Sequence, residues 1–178
     1  MLALSLNILY GATYIFAAWK WGDWKHWRKY YPTILFFILG DLLYQFLLHD
    51  HSMWKFEPVG VDKELPINHT TIVLSVIFIK YPATILIFLG RFPEGRFKQI
   101  IHIATWIAIY VINEYLTLKL NGMTYHNGWN FASSLFFTIV MFLILRIHHT
   151  RPLLAWIFSG IFILFLWKVF HVPFDILK

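Results

Sequence analysis

The sequence predicts an all-α integral membrane protein: a compact bundle of six transmembrane helices in a single domain, residues 1–178, with both termini outside. Three observations carry this. The chain is 59% hydrophobic and 20% aromatic but only 13% charged, where soluble domains carry roughly a quarter charged residues. The deficit runs along the whole chain and leaves no polar half for a separate soluble domain. Six apolar stretches also approach the roughly 20 residues that a helix needs to cross a bilayer.

The first span, 1–19, has no basic n-region, and its positive charges follow the apolar run. That is the pattern of an uncleaved anchor rather than a signal peptide. Between Trp19 and Tyr31, basic residues alternate with rings. Such a pattern can stack on nucleic acid. Between two spans it reads instead as an interfacial belt, with rings at headgroup depth and cations on anionic lipid. Membrane lipids are therefore the expected partner, and nucleic acid is not, despite the net charge of +6.

The second span, 31–48, carries Asp41; the third, 70–90, carries Lys80; the fourth, 100–118, carries Glu114. Lys80 precedes Tyr81-Pro82, where the proline frees a backbone carbonyl and kinks the helix. The fifth and sixth spans, 129–145 and 152–170, are short and joined by a tight turn at 146–151, so they are expected to form a helical hairpin. None of the six has the broad polar face of a soluble amphipathic helix.

Orientation follows from the basic residues. Connections one, three and five hold nine: Lys20, Lys25, Arg28, Lys29, Arg91, Arg96, Lys98, Arg146 and Arg151. The other side holds five: Lys55, Lys63, Lys119, Lys168 and Lys178. The excess places the odd connections in the cytoplasm.

An ionised side chain at the bilayer centre costs on the order of 3 kcal/mol or more, so it needs a partner, a hydrated cavity or a task. Asp41 and Lys80 each lie about 15 Å from the inner end of their helix at a rise of about 1.5 Å per residue. Consecutive helices are usually neighbours, so the two are expected to pair at mid-membrane. Glu114 lies about 21 Å from the inner end of its helix, with no cation at its depth.

Asp41, Tyr44 and Gln45 share one helical face, as do Tyr110, Asn113, Glu114 and Thr117. The fifth span adds Asn130, Ser133, Ser134 and Thr138, while His49, His51, His69 and the turn from Tyr125 through His126 and Asn127 stand at the outer mouth. The inner half is largely apolar. A continuous pore needs polar lining throughout, so the pattern predicts a pocket floored by Asp41 and Lys80 and open to the outer face.

The expected occupant is a small hydrophobic or lipid-like ligand bound by Lys80, Tyr44, Gln45, Tyr110, Asn113, His126 and Asn127. Two carboxylates in unlike surroundings also suit acid–base work. An intramembrane enzyme on a lipid or isoprenoid chain would use Glu114 as acid beside ionised Asp41, with Phe36, Phe37, Trp106 and Tyr110 lining the pocket. A small proton-coupled carrier using Asp41, Glu114 and His126, or a structural subunit, are the other classes the pattern allows. No cofactor is expected. His49, His51, His69 and His126 are weak metal candidates without ligand-like spacing. The absence of cysteine excludes disulfides, thiolate sites and cysteine nucleophiles, and no phosphate loop or hydrolase signature is present.

The run from Tyr31-Pro-Thr through Gly40-Asp41 to Tyr44, together with Lys80-Tyr-Pro-Ala-Thr84 and Tyr125-His-Asn-Gly-Trp129, resembles an uncharacterised family of small multi-spanning membrane proteins from endospore-forming Firmicutes. The resemblance covers roughly residues 30–152. It implies a multi-pass location in a bacterial cytoplasmic membrane and brings no established activity, cofactor or catalytic residue.

Overall fold

A computed structural model describes residues 5–173. Six helices occupy the apolar stretches: α1 Leu6–Trp21, α2 Trp27–Leu47, α3 His69–Phe88, α4 Arg96–Lys119, α5 Phe131–Thr150 and α6 Pro152–Val169. Among the described residues, five helices, all but α1, are long and apolar enough to cross a membrane. The starts are set by local chemistry. Ser5 accepts from the Ile8 amide, Asn130 accepts from the Ser133 amide, and Asn68 and Thr71 form a reciprocal capping box at the start of α3, each occupying an amide the helix cannot satisfy itself.

The tight turn expected at 146–151 is not a turn. Helix α5 continues through His148 and His149 to Thr150, and Arg151 alone separates it from Pro152 at the head of α6. Hydropathy stops at the first basic residue, whereas the hydrogen-bond ladder does not. Arg146 stays within the helix and lays its guanidinium 4.1 Å from the centre of the Phe92 ring. For the same reason α2 begins at Trp27 and α4 at Arg96, each four residues before its apolar run.

Helix α3 is the central element. Ile77, Ile85 and Phe88 are fully buried. The disturbance expected at Pro82 takes the form of a π turn over Val76–Lys80, closed by the Tyr81 amide on the Val76 carbonyl. Proline offers no N–H and its ring crowds the carbonyl four residues back, and one wide turn absorbs both defects.

A small antiparallel sheet, absent from the expectation, pairs β1 Trp54–Phe56 with β2 Met123–Tyr125, setting Trp54 opposite Tyr125 and Phe56 opposite Met123. With the 3₁₀ turn Gly60–Glu64 it caps one end of the bundle. The Tyr44 hydroxyl pins it to α2 by accepting the Met53 and Trp54 amides at 2.7 and 3.3 Å, and the Tyr44 ring stacks on Trp54 at 4.2 Å.

The opposite end packs solidly around Ile34, Phe37, Leu86, Phe88, Trp106, Phe142 and Leu145. There the α1–α2 connection lies against the end of α3, its Asp23 amide donating to the Leu86 carbonyl at 3.2 Å. The Tyr30 hydroxyl donates to Asp23 at 2.7 Å and, outweighing burial, holds that carboxyl below its ordinary range. Gly90 permits the approach. A methyl group there would meet the Leu86 carbonyl oxygen and lie 2.6 Å from the Asp23 Cβ. Gly90→Ala is therefore expected to lower stability by about 1–3 kcal/mol in thermal unfolding in mild detergent. Gly40→Ala, which meets nothing within 4 Å, should not.

Candidate functional site

Beneath the cap, a cavity of about 390 Å³ opens between α1, α3, α4 and α5. Asp41, Lys80 and Glu114, the three ionisable residues singled out within the apolar stretches, line it, and so do Tyr110 and Asn113. Its wall also includes Asn7, Tyr10, Trp54, Tyr81, Ser134 and Thr138.

Glu114 is the junction between bundle and cap. Its Oε1 accepts the Tyr125 hydroxyl at 2.6 Å and also the Ser134 hydroxyl. One oxygen thereby joins α4, β2 and α5. Burial, and then the bond to Glu114, raise the Tyr125 pKa, so its hydroxyl keeps its proton and remains a donor well past the ordinary tyrosine range. One residue back, the Asn113 side chain donates to the Tyr14 hydroxyl at 3.1 Å and ties α4 to α1.

Asp41 is held on both oxygens. Oδ2 accepts the Tyr81 hydroxyl at 2.6 Å and Oδ1 accepts the Gln45 amide at 3.2 Å. The Gln45 carbonyl lies 3.3 Å from His69 Nε2. His69 Nδ1 accepts the Phe56 amide at 3.0 Å, which leaves the proton on Nε2 and makes it the donor to Gln45. The chain of contacts runs from the cap down to Asp41.

Lys80 does not pair with Asp41, contrary to expectation. Among the described residues its ammonium forms no ion pair. It sits 4.2 Å from the centre of the Tyr110 ring, 5.5 Å from Tyr10 and 5.8 Å from Tyr14. Adjacent helical residues point about 100° apart. With Tyr81 directed to Asp41 on α2, Lys80 is directed to the rings of α1 and α4.

Other expected site residues lie elsewhere. Tyr44 is engaged in holding the cap, and Gln45 bridges Asp41 to His69. His126 is exposed, with Nε2 3.0 Å from the Thr124 hydroxyl, and Asn127 donates to the Ser52 carbonyl at 2.9 Å. Phe37 and Trp106 belong to the packed opposite end, and Phe36 stacks on His148 at 4.1 Å. His49 pairs with Asp50 at 2.8 Å. Among the described residues no three histidine or acidic side chains gather as metal ligands, His49, His51, His69 and His126 included.

Several residues of the wall, and Tyr14 behind it, were not anticipated. Asn7, Tyr10 and Tyr14 recur at i, i+3 and i+7, which sets them along one face of α1. That polar stripe was the available signal. Asp62, from the 3₁₀ turn of the cap, is fully buried and accepts the Asn7 backbone and side-chain amides on Oδ2 at 3.2 and 2.8 Å. No spacing could have matched it to α1, 55 residues away.

The class that fold and site define is an all-α protein with helices able to span a membrane and a capped polar cavity in one half of the bundle. Comparison with family models, with curated proteins and with solved structures finds no match to this chain.

Proposed function

We propose that this is a six-span protein of a bacterial cytoplasmic membrane, with both termini outside, whose capped cavity opens toward the outer face and binds a small amphiphilic or lipid-like ligand. The family it resembles implies that location, and the excess of basic residues on connections one, three and five supports the orientation.

The observation that carries the reading is the convergence of Asp41, Lys80 and Glu114, from three different helices, on one cavity. Costly intramembrane charges that only pinned helices would pair with one another. These instead face a common space whose volume falls in the range of small-molecule sites, roughly 300–1,000 Å³. Native mass spectrometry after gentle purification tests the reading directly. A retained small molecule, released on denaturation, is the expected result. Protein that is empty and takes up no added amphiphile would overturn it.

A proton-coupled carrier is the second reading, favoured by the chain from Asp41 through Gln45 to His69 that links cavity to cap. In proteoliposomes a carrier would move protons with substrate and lose that coupling in Asp41→Asn, whereas a binding protein would move none. The enzymatic reading is weaker, because Glu114 Oε1 already accepts two hydroxyl donors and is poorly placed to hand a proton to substrate from that oxygen.

A further inference from the structure

Resting on the cavity reading, we propose that the ligand is an anionic amphiphile whose carboxylate or phosphate head seats on Lys80 inside a cage of three tyrosine rings. Three ring faces, those of Tyr110, Tyr10 and Tyr14, surround the ammonium at 4.2–5.8 Å. Ring faces attract a cation, but they do not replace the oxygens that three N–H donors require. Among the described residues no oxygen accepts from Lys80 Nζ. Lys80 is half-buried on the cavity wall, and a cation partly withdrawn from water is stabilised by an anion that reaches it.

Three carboxylates of the wall accept hydrogen bonds from other groups, Asp62 on its Oδ2 from Asn7. Asp41 accepts from Tyr81 and Gln45, and Glu114 accepts from Tyr125 and Ser134. Four carboxylates, Asp41, Glu57, Asp62 and Glu114, thus line the same cavity as the lysine, and among the described residues none forms an ion pair with it. The π turn that ends at Lys80 is the device that separates them, since it sets Lys80 toward the rings while Tyr81 occupies Asp41. The three donors of Lys80 are left for an anion from outside the chain. Leu9, Phe137 and Met141 on the same wall supply the apolar surface for its tail.

The test uses the unaltered protein in lipid nanodiscs. Saturable quenching of tryptophan fluorescence is followed with dibromostearate, dibromostearyl phosphate, dibromostearylamine and the methyl ester of the acid. Trp54 lies on the cavity wall, so signal from the cavity is the part lost in Trp54→Phe. At least one anionic chain is expected to bind about tenfold or more tighter than the ester, the scale of a charge-assisted hydrogen bond. Whether carboxylate or phosphate binds tighter identifies the head. Lys80→Gln should abolish the preference for charge and Lys80→Arg should keep it. If Lys80→Gln does not fold, the comparison of acid with ester on the unaltered protein decides alone. Equal binding of acid and ester, or tighter binding of the amine, overturns the anionic head while leaving the cavity reading intact. No saturable quenching by any chain, in a protein that also purifies empty, overturns both.

Discussion

Glu114→Ala is expected to loosen the cap and lower stability by about 2–4 kcal/mol, whereas Glu114→Gln should cost less than about 1 kcal/mol. Two effects of opposite sign compete. Removing a carboxylate from an intramembrane position relieves its desolvation, which alone would stabilise the protein. Removing the acceptor strands the hydroxyls of Tyr125 and Ser134, and an unsatisfied buried donor costs about 1–3 kcal/mol. Ser134 is buried and Tyr125 partly so, so both penalties apply, the second in part. In alanine they outweigh the relief. Glutamine keeps an acceptor oxygen in place and gains the relief. Chemical unfolding in mild detergent measures the difference, and limited proteolysis across 57–64 reports whether the cap has lifted. Identical unfolding and identical cleavage in both variants would show that the junction at Glu114 holds nothing.

How much of this was legible depended on the distance over which each rule acts. Apolar length located the six helices, five of them long and apolar enough to cross a membrane, because a bilayer imposes that length on each helix separately. Helical spacing grouped Tyr110, Asn113, Glu114 and Thr117, and all four do line the cavity, because a 3.6-residue period is local. It could not say that Tyr81 rather than Lys80 would meet Asp41. One residue's rotation decides that contact, and a π turn, invisible to any hydropathy window, sits immediately before it. The cap was illegible for a related reason. Its strands are three residues long and pair Trp54 with Tyr125, far apart in the sequence, too short for alternation to register. The contacts of Glu114, Tyr44, His69 and Asn7 with the cap make its position intelligible, and all required the fold to be known.

The largest loss of packing is expected from Phe142→Ala, at about 3 kcal/mol. Phe142 is 0% exposed and meets Phe88 and Tyr110 edge-on at centroid distances of 5.2 and 5.0 Å. In water such a truncation loses both transfer energy and packing. In lipid the separated helices still keep their side chains in hydrocarbon, so the transfer part largely vanishes and the cavity part remains. That puts the cost at the low end of the roughly 3–5 kcal/mol seen for buried aromatic truncations. Leu143→Ala provides the control: it is the next residue on the same helix and 45% exposed, and it should cost less than about 1 kcal/mol. Equal costs would mean that the packed end is not the source of stability. Phe142 also bears on the cavity, because the Tyr110 ring it supports lies beneath the Lys80 ammonium and its hydroxyl bonds to Thr84 at 2.7 Å. Phe142→Ala should therefore weaken binding of a dibromostearate probe as well as the fold, whereas Leu143→Ala should weaken neither. The solid end of the bundle then acts as the foundation that holds the lysine cage in shape.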